Sequence, residues 1–337
     1  MMQEILPQDA VPGHLKGSVV AIGNFDGMHR GHQALLNVAR AEAERRGLPW
    51  GILTFEPHPA SYFRPNEPVF RLSPHPLKSR LAKASGVDLL AVVGFNAEIA
   101  ASTPEEFVLH HLVNRLGVSH VVTGYDFHFG KGRKGTPETL AQLGKAHGFG
   151  VSTVDQVTSD SDGKAPFSSS SIRSAIRRGH VRNAADELGY RWIVMGEVVH
   201  GDKRGRSIGF PTANIIVDPG AEPARGIYAV EVRDAAADAG TASWQGAAYF
   251  GDRPTFNTNR TFLEAYLLDQ DIDLYGKTLL VSFHDLIRGD KTFASVGELV
   301  EQMKADCDRA REVLAGDRVD DPMLAFPLGR LQRAGKI

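Results

Sequence analysis

The chain has one cysteine in 337 residues, Cys307, set in the charged stretch "KADCDRA". A single thiol excludes a disulfide framework and a cysteine-rich zinc site, and it fits a reducing cytoplasm. Long apolar runs are missing too: none approaches the roughly 18 residues that a membrane-crossing helix needs. The opening "MMQEILPQDAVPGHLKG" lacks a basic start followed by an apolar core, so no signal peptide is expected. Nor is there an excess of charge. With 38 basic and 40 acidic side chains the formal net charge is −2, which gives no global bias towards nucleic acid or membranes. Internal repeats and long low-complexity linkers are absent, although "TSDSDGKAPFSSSS" reads as a flexible loop.

What is present is an ordinary globular composition with unusual local strings. Apolar residues make up 42% and charged ones 23%, and the length allows two domains with cores of their own. The first half alternates apolar runs ("SVVAIG", "PWGILTF", "VDLLAVVGF", "VSHVVTG", "GVSTVDQV") with helical patterns such as "HQALLNVARAEAERRG". Five such strands parted by helices predict βαβ units and a parallel sheet covered on both faces, a Rossmann-like α/β domain. After about Tyr190 the strand-like runs follow one another without helices: "RWIVMGEVVHG", "GIYAVEVR", "WQGAAYF", "TFLEAYLLD", "TLLVSFHDLI". That pattern predicts a small antiparallel β-barrel or sheet, with an amphipathic helix over about 296–314 packed on it. The expected division is 1–186, 187–315 and an unassigned tail, 316–337. A fragment from about Ala184 onwards is expected to fold by itself.

The first candidate site is "AIGNFDGMHRGHQALL", where an apolar run becomes a helix. Gly23 and Gly27 let the backbone turn tightly, and Phe25, Asp26 and Gly31 complete the turn. His29 and His32 then fall at i and i+3 on the first helical turn, beside its free N–H groups and positive dipole end. Imidazoles there can donate to phosphate oxygens during phosphoryl or nucleotidyl transfer. The plain alternative is two surface histidines at a helix start. "GKGRKG" (130–135) matches G-x-G-x-x-G, but it follows the fourth predicted strand and carries three basic residues. It reads as a phosphate-side loop of the same site and not as a dinucleotide fingerprint.

The second candidate site is "VVHGDKRGRSIGFPTAN" (198–214). Gly201, Gly205 and Gly209 can form a mobile flap over phosphates, and Pro211 leads into an extended segment. Thr212 and Asn214, two residues apart, point the same way, so both oxygens can meet one hard cation such as magnesium.

These strings carry a resemblance. The first is similar to the [GxF]-[DG]-x-H-x-G-H signature of the nucleotidyltransferase superfamily, whose members attack ATP at its α-phosphate. "TFEPHP", "VVTGYDFHFGKGRKG" and "FSSSSIRSAIRRG" follow in the order found in prokaryotic FAD synthetases. The resemblance implies that Ser168, Ser169, Ser170 and Arg173 lie near the triphosphate. It also implies that Glu56 and Asp126 help hold magnesium against ATP, although the family more often has Asp at the first position. The second string resembles the riboflavin kinase signature, as do "GDRPTFN", "DLYGKTLLVSF" and "IRGDKTFASVGELVEQMKAD" downstream. The whole chain thus resembles the bacterial bifunctional riboflavin kinase/FAD synthetases. The resemblance implies two Mg²⁺-dependent transfers from ATP: riboflavin to FMN, then FMN to FAD. Two departures stand out. Tyr249 occupies a position where the family usually has Asn, and "LGYRW" (188–192) replaces the more usual "LGRPY".

Within "TFLEAYLLD", strand alternation puts Phe262, Glu264, Tyr266 and Leu268 on one face. Both faces read as covered, which makes Glu264 a buried carboxylate suited to general-base work. The resemblance independently puts the catalytic glutamate of the kinase there; a structural ion pair is the alternative. A nucleotidyltransferase with another acceptor, or a flavin or nucleotide sensor without catalysis, are the competing functions.

Overall fold

Strands that are apolar on both faces belong inside a covered sheet, and the first half of the chain supplies them. The computed structural model describes residues 2–158, 166–201, 205, 208–251 and 262–337. In it β1 (Gln3–Ile5), β2 (Val19–Ile22), β3 (Trp50–Glu56), β4 (Leu89–Gly94), β5 (His120–Gly124) and β6 (Gly150–Val154) form one parallel sheet. Its order is β1-β4-β3-β2-β5-β6. Five of these strands match the apolar runs. The sixth, β1, is only three residues long, too short to show a period, and it pairs with β4 at the sheet edge.

The order has one consequence for function. From β2 the chain builds outwards through β3 and β4 on one side, then returns to place β5 and β6 on the other. The end of β2 is therefore the switch point, where open α/β sheets leave a crevice for ligands. Helix α1 (Arg30–Arg46) starts just beyond it, buries Leu36, Ala39 and Ala43 at helical spacing, and stops at the left-handed Gly47.

The second unit is a closed antiparallel barrel. β7 (Ile193–Val199), β8 (Thr212–Ile216), β9 (Gly226–Asp234), β10 (Trp244–Gly251), β11 (Phe262–Leu267) and β12 (Thr278–Arg288) close in the order β10-β11-β8-β7-β12-β9. Leu263 and Ala265 fill its interior with Ile215 and Ala248, all fully buried. Ser295 caps the long helix Val296–Val319, which lays Cys307, Ala310, Val313 and Leu314 against Phe210, Ala229 and Ala247. The helix runs on past the expected Leu314.

The tail without a readable period is part of this unit. It forms a short turn at Pro322–Ala325 and a helix at Pro327–Arg333. The Gln332 side chain donates to the Arg191 carbonyl and to Ser282 Oγ at 3.0 Å each, and it accepts from the Arg191 N–H at 2.8 Å. Beside it, buried Asp317 meets His284 Nδ1 at 2.8 Å, Arg191 at 3.0 Å and Arg182 at 3.1 Å.

The compact units divide differently from the sequence rhythm. The first comprises Met1–Val69 and His75–Phe167, and the second Phe70–Pro74 and Ser168–Ile337. Strands begin near Tyr190, but the packing of the second unit begins earlier. Phe70 and Leu72 are fully buried in it: the Phe70 ring meets Trp192 edge-on at 5.7 Å, and Trp192 Nε1 donates to the Leu72 carbonyl at 3.2 Å. Ile172, Ile176 and Val181, on helices upstream of Tyr190, are buried as well. A fragment beginning at Ala184 would lack most of these groups, which places the start of the second unit earlier than the strand rhythm suggests. The "LGYRW" departure lies at this core, with Tyr190, Arg191 and Trp192 all buried.

Candidate active sites

In the first unit the turn after β2 is held in an unusual backbone state. Phe25 and Met28 have φ of 48° and 39°, and Gly27 has 82°. Positive φ at two bulky residues costs on the order of 1–3 kcal/mol each and persists only where the surroundings dictate it. Here they do: Phe25 and Met28 are fully buried, the Gln33 amide donates to the Met28 carbonyl at 2.9 Å, and Thr54 Oγ1 donates to the Asn24 carbonyl at 3.1 Å.

This turn delivers His29 as the N-cap of α1. Its Nδ1 accepts the His32 N–H at 3.4 Å, so the neutral ring carries its proton on Nε2, as a donor. The two imidazoles stack with centroids 3.7 Å apart, and Phe25 lies 5.1 Å from His32. Two glycines permit this packing: a Cβ on Gly31 would stand 3.1 Å from the His29 ring, and one on Gly23 3.3 Å from the Phe25 ring. Asp26 is buried in the same turn.

Glu56 ends β3 and Asp126 follows β5, so they flank the histidine turn about two strand spacings, roughly 10 Å, apart. Their situations differ. Asp126 is exposed. The Glu56 carboxylate is met at 2.7 Å by the ammonium of Lys78, which is only 3% exposed, and His75 Nδ1 stands 3.8 Å away. A carboxylate already neutralised by a buried lysine is a poor partner for a metal ion. Lys78 escaped the sequence reading, although a lysine between Leu77 and Leu81 on a buried helix face was a visible signal.

An aromatic cluster was missed as well. Phe55 meets Phe95 and Phe107 at 6.2 and 6.0 Å, and Phe63, which is exposed, meets Phe95 at 5.8 Å. Next to Phe107 a cavity of about 490 Å³ opens at the carboxyl ends of β1 and β4, lined by Asn96, His110, His111 and Arg115. Burial, then the charges of Arg115 and His110, lower the His111 pKa to about 4, so that ring is neutral at physiological pH. The "GKGRKG" loop follows β5 on the same sheet edge, with Lys131, Arg133 and Lys134 exposed.

Ser168, Ser169, Ser170 and Arg173 pack with the second unit. Ser168 Oγ caps the helix Ser169–Arg177 by accepting the Ser171 N–H at 3.1 Å, and Arg173 Nε donates to the Phe70 carbonyl at 2.6 Å.

The barrel assembles its candidates by register. Asn214 on β8 pairs with Glu264 on β11, which pairs with Tyr249 on β10; one step along, Thr212 pairs with Tyr266. Paired residues share a face, so Thr212, Asn214 and Glu264 stand together on the outer surface of the barrel. Glu264 is part-exposed there. This corrects the expectation of a buried carboxylate on a strand covered on both faces: the interior row is Leu263, Ala265 and Leu267, and the helix Val296–Val319 covers only part of the outer one. The glycine flap meets the same surface. A Cβ on Gly201 would overlap the Asn214 amide, and one on Gly205 would overlap the Phe210 carbonyl and stand 3.6 Å from Thr212 Oγ1. Gly209 has a φ of 86°. Beside Pro211 and Thr212 a cavity of about 250 Å³ opens, walled by Val198, Leu274 and Tyr275. Residues 202–204, 206–207 and 252–261, which hold most of the basic flap and the "RPTF" segment, lie outside the described residues.

No group of three or more His, Cys, Asp or Glu side chains among the described residues could hold a metal ion by itself. The oxygen pair of Thr212 and Asn214 is of another kind: two neutral hard donors, which suit magnesium when phosphate oxygens and water complete the shell. No helix among the described residues is long and apolar enough to cross a membrane.

Comparison with known proteins agrees with this division of sites. Residues 11–170 match the family model described as FAD synthetase, and residues 188–314 match that described as riboflavin kinase. The bifunctional riboflavin kinase/FMN adenylyltransferase of Escherichia coli (strain K12) is 38% identical over 297 residues, 88% of this chain and 93% of that one. Its counterpart in Bacillus subtilis (strain 168) is 36% identical over 300 residues, 87% of this chain and 91% of that one. A crystal structure described as a macrolide-efflux protein from Streptococcus pneumoniae is 32% identical, covers 91% of this chain and 98% of that one, and has a TM-score of 0.78.

Proposed function

Because the chain belongs to the family of bifunctional riboflavin kinase/FMN adenylyltransferases, we propose that its two candidate sites carry out two successive transfers from ATP. The barrel phosphorylates the 5′-hydroxyl of riboflavin to give FMN, and the α/β unit joins AMP to FMN, releasing pyrophosphate. The observation that carries the first step is the cross-strand row Asn214–Glu264, closed from above by the Gly201 backbone. Glu264 accepts the proton of the attacking hydroxyl. Thr212 and Asn214 would hold Mg²⁺, which supplies charge neutralisation on the transferring phosphate when bound. The flap glycines 201, 205 and 209, with Pro211, let the backbone approach the phosphates, and the 250 Å³ cavity beside Thr212 is open to the rest of the nucleotide.

For the second step, the histidine turn at the switch point is the supporting feature. Nε2–H of His29 and the stacked ring of His32 donate to the α-phosphate as negative charge builds on it, while the turn residues Gly23, Phe25, Asp26 and Gly31 cradle the nucleotide. The FMN phosphate attacks the α-phosphorus in line, and pyrophosphate leaves with its charge met by the basic loop. Asp126 is the carboxylate open to a metal ion at this site; Glu56 instead fixes Lys78. The 490 Å³ cavity beside Phe107 has the size and part-aromatic wall that a tricyclic flavin ring requires. The lone cysteine suits work in the cytoplasm. Incubation with riboflavin, ATP and Mg²⁺, followed by chromatographic separation of flavins, should yield both FMN and FAD. A protein that forms neither has another function.

A further inference from the structure

The histidine turn is held from β3 at two successive peptide groups. The Gly23 N–H donates to the Leu53 carbonyl at 3.2 Å, and the Asn24 carbonyl accepts from Thr54 Oγ1 at 3.1 Å. The second bond acts where the strain lies. The Asn24 carbonyl belongs to the peptide group whose direction sets ψ of Asn24 and φ of Phe25. Fixing that group therefore holds Phe25 at its φ of 48°, a value a bulky residue keeps only under constraint. The Phe25 ring stands 5.1 Å from that of His32, and the turn ends at the N-cap His29.

A threonine hydroxyl has one proton and can rotate to give it in more than one direction. Here Lys78 decides the direction. Thr54 and Glu56 lie two residues apart on β3 and so on one face. The Lys78 ammonium reaches both, Glu56 Oε1 at 2.7 Å and Thr54 Oγ1 at 3.4 Å. An ammonium only donates, so Thr54 Oγ1 accepts on that side and keeps its own proton for the Asn24 carbonyl. Thr54 is fully buried and Lys78 is 3% exposed. With so little surface, Lys78 serves the reaction through its neighbours and not by touching substrate. Stability does not account for it either, because a buried ion pair adds little over well-packed apolar side chains.

We propose that Lys78 is a positioning residue for adenylyl transfer: through Thr54 it holds the Asn24 peptide, and with it the turn that presents His29 and His32. The inference rests on those histidines being the α-phosphate donors. Misplacing a reacting group by about 1 Å costs up to roughly a hundredfold in rate.

The test uses the full chain, with FMN and Mg-ATP as substrates and riboflavin phosphorylation followed in the same preparation. Thr54→Val keeps the shape and removes the hydroxyl. Its adenylylation kcat should fall about tenfold or more, within the range for a displaced reacting group. The KM for FMN should stay within about twofold of the parent, and riboflavin phosphorylation should be unchanged. Thr54→Ser restores the hydroxyl without the methyl, and should return kcat to within about threefold of the parent. Lys78→Met combined with Glu56→Gln removes both charges, so no buried ion is left unpaired. That protein should also lose about tenfold in kcat, and adding Thr54→Val should lower it no further, because all three changes break one chain of bonds. Normal turnover in Thr54→Val, a Ser variant as slow as the Val variant, or losses that multiply in the triple variant would each overturn the inference. The His29→Ala, His32→Ala protein separates it from the reading on which it rests. If that protein forms no FAD while Thr54→Val is normal, the histidines stand and the positioning role falls; if it forms FAD, both fall.

Discussion

Replacing Asp317 by Asn or Ala tests whether the tail is structural. Its side chain is 8% exposed and lies within 3.1 Å of three cationic or potentially cationic groups: His284 (4% exposed), Arg191 (4%) and Arg182 (41%). Removing one member of a buried ion cluster strands the others and costs about 3–5 kcal/mol. Arg191 keeps one further partner, Asp321 at 3.3 Å, so the lower end, about 3 kcal/mol, is the better estimate for Ala. A unit of this size melts about 2–4 °C lower per kcal/mol, which gives a drop of roughly 6–12 °C by calorimetry at pH 7. The pH dependence has a definite sign. Burial pushes the Asp317 carboxyl up, but the His284 hydrogen bond and the charges of Arg191 and Arg182 outweigh it and hold the pKa below its ordinary value. A depressed acid stabilises fully above its unfolded pKa of about 3.9 and loses that contribution as pH falls through the folded value. The gap in melting temperature between parent and Asp317→Asn should therefore close below about pH 4. A variant melting within a degree or two of the parent at pH 7, or a gap that persists in acid, would refute the cluster's role.

The double change His29→Ala, His32→Ala should abolish FAD formation from FMN and spare riboflavin phosphorylation; substantial FAD synthesis would remove the histidines from their role. Glu264→Gln should cut FMN formation at least roughly a hundredfold, as loss of a general base does, with adenylylation and melting unchanged in the same preparation. Gly201→Ala drives a methyl group into the Asn214 amide, so riboflavin kinase turnover should fall while adenylylation holds; equal activity in both assays would show that the flap is not close-packed during catalysis. A fragment of residues 184–337, lacking Phe70, Leu72, Ile172 and Ile176, should give no cooperative melting transition. A sharp transition together with FMN synthesis would show that those side chains are dispensable.

The parts of the molecule that could be read from the sequence are those whose information is local. Glycine-framed strings such as the His29 turn and the Gly201–Asn214 flap announce close backbone approach, and alternation showed that Thr212 and Asn214 share a face. Strand periods separated the sheet from the barrel. What could not be read depends on distant partners. Nothing in "FRLSP" indicates that Phe70 and Leu72 belong with Trp192, and nothing in the tail indicates that Asp317 and Gln332 lock Arg191. Glu264 reads as buried in the sequence because a largely apolar outer row looks the same there as a covered one. Which row faces outwards depends on the barrel's closure and on how much of it the helix Val296–Val319 covers.

The segment Phe70–Pro74 also has a history on the ribosome. Leu72 and the tryptophan that binds its carbonyl are 120 residues apart, and at about 5–20 residues per second that interval lasts roughly ten seconds. For all of it, two side chains that end fully buried have no tryptophan to cover them. The sheet around β2, β3 and β4 can assemble meanwhile, because its nearest partners are already synthesised. The second unit cannot complete its packing until Gln332 has emerged, since that side chain bridges Arg191 and Ser282. Vectorial synthesis thus imposes an order on the two units, and the nascent chain spends its most aggregation-prone seconds with one short apolar segment waiting for its tryptophan.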